Sequence, residues 1–287
     1  MIAWVRNPWG RPRALVAVTG LYIVWSILPV ALAILFAFNS GRSRTTLQGL
    51  SLRWFTSQSG VFHDQALQSA LLHTLLLAAI SVAVAVPLGV TLALGLQRWR
   101  GRGSGTVNTM MLLPLVTPEI VMGVALLLLF LKVFPGLGLG TKAQAIGQVT
   151  FTLSYVVVIV RGRLVSIGRE YEEAAADLGA PPHDQLLRVL LPLLAPAIIA
   201  SAAVVFALSI DDFVVTQYLS GDASTTTVSM LLYATARGAP TPALNAIATV
   251  ALLITLATLA LAFFVYKRFG GGGGDGGAAA SAAMLEV

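Results

Sequence analysis

In this chain of 287 residues, 57% of side chains are hydrophobic and 10% charged, far from the charged fraction of roughly 25% usual in soluble domains. With a mean hydropathy of +0.85, a lipid bilayer is its main solvent. The formal net charge of +6 comes with no basic stripe interleaved with aromatics, so it reads as topology and contact with anionic lipid, with no nucleic acid as partner.

Apolar runs of membrane-crossing length recur near 15–38, 67–96, 107–134, 145–160, 193–219 and 244–266. Each is expected to be a helix, because an open sheet edge cannot survive in hydrocarbon. The fourth run is short and is expected to borrow its first turn from 141–144. The reading is an all-α polytopic membrane protein with six transmembrane helices. The first run follows Arg6, Arg11 and Arg13 as a signal peptide would, but it holds Trp25 and Pro29 and no small-residue cleavage site precedes Asn39, so a retained helix is expected.

If the chain starts inside, twelve of its 18 basic residues fall on the cytoplasmic side, as the positive-inside rule requires. That predicts a bacterial inner-membrane location with both termini cytoplasmic. The expected division is a cytoplasmic segment 1–13, a transmembrane domain 14–269 and a flexible glycine- and alanine-rich tail 270–287. The absence of cysteine removes disulfides, thiolate metal sites and cysteine nucleophiles. His63, His73 and His183 show no ligand spacing and are read as surface or interfacial residues, so neither metal nor cofactor is expected.

Between the fourth and fifth runs, 161–192 leaves the membrane. Ser166 is placed to cap a short helix whose early turns hold Glu170, Glu172 and Glu173, where negative charge suits the positive end of the dipole. Ala174, Ala175 and Ala176 are strong helix formers that admit a close partner backbone. Gly179 can take the left-handed conformation that closes a helix, and Pro181-Pro182 forbid its continuation. A second short helix is expected over 183–189, leading into Pro192. Such a rigid knob transmits a rigid-body movement that a floppy loop would absorb. Glu173 reads either as a polar anchor into a partner or as a solvated charge opposing the dipole.

No glycine-rich run ends in Gly-Lys-Ser/Thr, so the chain has no phosphate cradle of its own. No serine, histidine and aspartate set gathers on one side of the membrane, which leaves no catalytic residues to name.

Three acidic residues fall inside the runs, Glu119, Asp211 and Asp212, and an ionisable group at bilayer depth usually faces a pathway or a partner. By helix rise, Glu119 sits about 18 Å from Val107 and Asp211 about 22 Å from Pro196. Adjacent helical residues point about 100° apart, so one of Asp211 and Asp212 is expected to face the pathway while the other packs. Carboxylates without basic residues beside them imply a cationic substrate, with Phe213 and Tyr218 supplying cation-π contacts. Alternatively they are satisfied by neutral donors such as Asn245, Thr216 and Tyr218, or by helix ends broken at Pro114 and Pro118.

Two resemblances follow. Glu173-Ala174-Ala175, Gly179, Val189 and Leu191-Pro192 resemble the signature of permease subunits in bacterial ABC importers, with Val189 where that pattern usually has isoleucine. The strings 113–123 (Leu-Pro-Leu-Val-Thr-Pro-Glu-Ile-Val-Met-Gly), 209–215 (Ser-Ile-Asp-Asp-Phe-Val-Val) and 242–246 (Pro-Ala-Leu-Asn-Ala) look like the second permease subunit of spermidine/putrescine importers.

The resemblance implies a type I ABC importer permease fold with a cytoplasmic coupling helix. It implies a non-catalytic subunit forming half of a polyamine pathway. Its partners would be a second homologous permease chain, two copies of an ATP-binding subunit, and an extracytoplasmic substrate-binding protein docking on the outer loops. Coupling is assigned to Glu173, Ala174, Ala175, Asp177, Gly179 and Pro192, and the pathway to Glu119, Asp211, Asp212, Phe213 and Tyr218. Related permeases for aminoethylphosphonate or ferric iron share much of this pattern. A membrane receptor or scaffold with an EAA-like loop is the alternative of another class.

Overall fold

The computed structural model describes residues 13–43, 46–58, 60–99, 101, 103–238 and 242–270. The segment 1–12, the tail from 271 and several of the orienting arginines, Arg6, Arg11, Arg44, Arg100 and Arg102, lie outside the described residues.

In chain order the helices are α1 (Arg13–Ala37), α2 (Gln65–Arg98), α3 (Ser104–Val116), α4 (Glu119–Leu128), α5 (Thr141–Ile167), α6 (Glu170–Asp177), α7 (Leu191–Asp211), α8 (Val214–Tyr218), α9 (Val228–Gly238) and α10 (Pro242–Gly270). Pairing across strands is limited, among the described residues, to one isolated bridge between Asn39 and Leu50. Five helices are long and apolar enough to cross a membrane, and a bent pair makes six if it counts as one span. α5 begins at Thr141, so the short fourth run does gain the extra turn expected of it.

Two of the six runs are not single helices. The run 107–134 breaks between α3 and α4, which meet at 108°. Thr117 is extended, φ −71° and ψ 129°, as a residue before proline must be, and Pro118 has no N–H to continue the ladder. The run 193–219 likewise ends at Asp211, and the chain restarts as α8.

Helices α2, α5 and α7 pack together as the centre of the fold. Their core is β-branched and small: Ala85, Val86 and Val90 of α2, Val156, Val157 and Val160 of α5, and Leu194 and Val205 of α7. α1 packs on α10 and otherwise turns outward, with Leu21 72% and Trp25 73% exposed. A helix apolar all round and uncovered in this way faces lipid. After α1 the chain is built on Asn39, whose side chain donates to the carbonyls of Ser43 (3.0 Å) and Thr46 (3.1 Å) and accepts from Gln48 N (2.9 Å). Trp54 and Phe55 then fold under it with Ala37, Leu67 and Ile247. α2 starts where the Asp64 carboxylate accepts from the amides of Ala66 and Leu67.

Candidate functional site

At one end of α7 lies the helix-turn-helix element. Ser166 is not its cap. It sits inside α5, its hydroxyl donating to Arg163 O at 2.8 Å, because the helix runs on to Ile167 and turns only at Gly168, φ 74°. Arg169 takes the cap position without a side-chain bond.

Helix α6 does carry Glu170, Glu172 and Glu173 in its first turn. It closes as a Schellman motif: Gly179 N donates to Ala176 O (2.8 Å) and Ala180 N to Ala175 O (3.0 Å). Gly179 has φ 83°, a conformation costly for any residue with a Cβ. Glu173, Ala174, Asp177 and Gly179 are exposed and Ala175 is half-buried.

The separate second helix expected over 183–189 is instead the start of α7. The turn Pro182–Asp184 and the π-helical turn Gln185–Leu190 run into Leu191 without a break, making one span of 30 residues. Pro192, inside that span, follows directly on the π-helical turn, where the regular α-helical hydrogen-bond ladder is already interrupted. α6 packs on the π-helical turn, so the knob is mounted on the foot of α7.

The other end of α7, about 30 Å away by helix rise, carries the acidic pair, and the two carboxylates have different surroundings. Asp211 is exposed. Asp212 stops the helix. Its carboxylate accepts from Val215 N (3.1 Å), Thr216 N (3.2 Å) and Gln148 Nε2 (3.3 Å), and so caps α8. Its carbonyl accepts from the hydroxyls of Thr216 (2.9 Å) and Ser229 (2.7 Å).

Glu119 is exposed in the first turn of α4, where negative charge suits the dipole. Phe213 stacks on Tyr233, centroids 4.2 Å apart. Tyr218 instead packs against α4 at Gly123, where a Cβ would come within 2.7 Å of its ring.

Beneath this end runs a buried polar seam that the sequence reading missed. Gln144 and Gln148 lie one turn apart on α5, both wholly buried. Gln148 accepts from the hydroxyls of Ser81 (2.9 Å) and Ser209, and donates to the Ser209 carbonyl (3.2 Å) as well as to Asp212. Gln144 donates to the carbonyls of Thr216 (3.0 Å) and Thr225 (2.9 Å), and its Oε1 lies 2.8 Å from His73 Nε2.

His73 is therefore neither a surface nor an interfacial residue but a buried one. His63 and His183 are exposed, His183 lying 3.4 Å from Asp184. Among the described residues no buried side-chain nitrogen or oxygen lacks a partner, as a low-dielectric interior demands. Of the neutral donors expected for the carboxylates, Thr216 serves Asp212 through its backbone N–H. The recorded contacts of Asn245 and Tyr218 lead elsewhere, Asn245 O accepting from Thr249 and Tyr218 meeting Gly123. A signal was available: Gln144, Gln148 and Thr152 recur every four residues through an apolar span, a polar stripe on one helix face.

An exposed knob at the foot of a long apolar helix, and a broken helix end at its head with Asp211 exposed and Asp212 hydrogen-bonded, belong to a polytopic membrane protein. The family description "Binding-protein-dependent transport system inner membrane component" matches residues 85–270, and the chain belongs to that family, as a multi-pass inner-membrane protein. It is 36% identical over 253 residues to the putrescine transport system permease protein PotI of Escherichia coli (strain K12), covering 86% of this chain and 87% of that one. It is 31% identical over 244 residues to the spermidine/putrescine transport system permease protein PotC of Haemophilus influenzae, covering 84% and 93%. In structure it is similar to a chain of a bacterial ABC transporter involved in the import of the acidic polysaccharide alginate, with TM-score 0.73, 17% identity and coverage of 93% and 99%. An amino acid ABC transporter chain follows at TM-score 0.53, 20% identity and coverage of 72% and 96%. These likenesses establish the importer permease fold.

Proposed function

We propose that this chain is one of two permease subunits of an ATP-driven polyamine importer. It forms half of the pathway and leaves ATP hydrolysis to two copies of a separate subunit, while an extracytoplasmic binding protein delivers putrescine or spermidine. The identity to PotI and PotC supports the substrate class. The observation that carries the mechanism is the continuity of the 30-residue helix, which joins the α6 knob to Asp211. A push on α6 by a closing ATPase passes through the π-helical turn into α7, which carries it along the bundle as one continuous helix packed against α2 and α5.

At the far end the movement reaches the break at Asp212-Phe213. Asp212 is bound to Gln148 and to the α8 backbone, so it serves as the joint. Asp211 and Glu119, both exposed, are free to face alkylammonium groups. Glu173, Ala174, Ala175, Asp177, Gly179 and Pro192 belong to the coupling surface in this reading, with the knob and both termini in the cytoplasm.

The test is ATPase activity of the reconstituted importer with its binding protein, in the presence of putrescine, spermidine, aminoethylphosphonate or ferric iron. Stimulation by polyamines alone is the expected result. Stimulation only by another solute overturns the polyamine reading and leaves the permease reading standing.

A further inference from the structure

We propose that Arg237 is an internal stand-in for the substrate's ammonium group, seated on Tyr233 while the pathway is empty and displaced when an organic polycation arrives. The proposal rests on the polyamine reading and names a residue that sets its affinity.

Ser229, Tyr233 and Arg237 are spaced four apart on α9 and so share one helix face. That face is pinned to the broken end of α7. Ser229 donates to the carbonyl of Asp212 at 2.7 Å, and one turn on, Tyr233 stacks on Phe213 at 4.2 Å. One turn further, the Arg237 guanidinium carbon lies 4.5 Å from the centre of the Tyr233 ring. The aromatic pair therefore lies at the break that follows α7, and the exposed Asp211 ends that helix two positions before Phe213 in the chain.

Arg237 has no carboxylate within ion-pairing distance among the described residues. The Tyr233 ring is itself 42% exposed, and the face of an aromatic ring is a surface that binds an alkylammonium as well as a guanidinium. The guanidinium and a substrate ammonium compete for the same π surface. An arriving cation therefore has to displace Arg237, which weakens its apparent binding. A neutral solute does not compete for the ring in this way.

The experiment is equilibrium binding of labelled spermidine to the assembled importer in nanodiscs, with the binding protein omitted so that only the membrane site is read. Arg237→Gln is expected to lower Kd by about 2- to 30-fold, the range of one cation-π contact. Arg237→Lys, which keeps a cation, stays near wild type. Tyr233→Leu raises Kd, and in its background Arg237→Gln has no further effect, because the contested ring is gone. An unchanged or raised Kd in Arg237→Gln, or an effect that persists without the ring, overturns the proposal while leaving the polyamine reading intact. A wild-type importer that takes up no polyamine even with its binding protein overturns the polyamine reading and this proposal with it.

Discussion

Replacing Gln148 with leucine keeps the volume of the side chain and removes its amide. Four hydrogen bonds go with it, those from Ser81 and Ser209 and those to the Ser209 carbonyl and the Asp212 carboxylate. The serine hydroxyls can turn back to carbonyls of their own helices. The Ser209 carbonyl and one oxygen of Asp212 cannot, and Asp212 is the joint between α7 and α8. At the average of about 0.6 kcal/mol for a hydrogen bond inside a membrane protein, four bonds amount to about 2.4 kcal/mol. At about 2–4 °C per kcal/mol, the purified permease should melt roughly 5–10 °C below wild type. Thermal unfolding followed by circular dichroism measures this, with Thr150→Ala as control, since Thr150 is exposed and bonds only to the Ile146 carbonyl of its own helix. Gln148→Glu should lose more, because it sets a second carboxylate against Asp212. A Gln148→Leu protein melting with the control would refute the idea that the seam holds the broken helix together.

Gly179→Ala meets no steric obstacle but must hold φ 83°, at a cost of about 1–2 kcal/mol confined to the turn. The spans should melt as in wild type while uptake per ATP hydrolysed falls several-fold, read by parallel uptake and ATPase assays. Gly123→Ala drives a methyl into the ring of Tyr218 and should separate α4 from α8, lowering stability by about 1–3 kcal/mol in the same melting assay. Asp211→Asn and Asp212→Asn should part company. The first, exposed and without a side-chain hydrogen bond among the described residues, is expected to weaken polyamine binding with no change in melting temperature. The second loses either the Oδ1 acceptor for Val215 N or the Oδ2 acceptor shared by Thr216 N and Gln148 Nε2, and is expected to lower stability by about 1 kcal/mol. Equal loss of stability in both would contradict the different surroundings described for them.

Much was legible in the chain because the bilayer imposes simple constraints. A run of apolar residues at membrane length can only be a helix, so the positions of the spans and the helical class followed from composition and period. The knob was readable for a local reason too: Gly179 and the prolines after it dictate backbone geometry wherever they stand, and the structure bears out the left-handed glycine closing α6. Two details of the same loop were not local. Ser166 was a good cap in isolation, but α5 had no reason to end before Gly168. The second short helix disappeared because Leu186 and Leu190 pack into the same core as α7, which draws the turn into the long helix.

The carboxylates mark the limit of the one-dimensional reading. Their places in the chain identified Glu119, Asp211 and Asp212 as unusual, and adjacency on a helix implied that Asp211 and Asp212 face different ways. Which of them packs depends on Gln148, on a different helix, and on Ser81, on a third. Hydrogen-bond partners 61 and 67 positions apart in the chain are brought to 3.2 and 2.9 Å only by the packing of α2, α5 and α7. The residue types and helix periods thus settled what crosses the membrane and where the knob forms. The broken end of α7 and the seam that satisfies it were decided by tertiary structure, because a buried polar group is acceptable in this interior only where another helix supplies its partner.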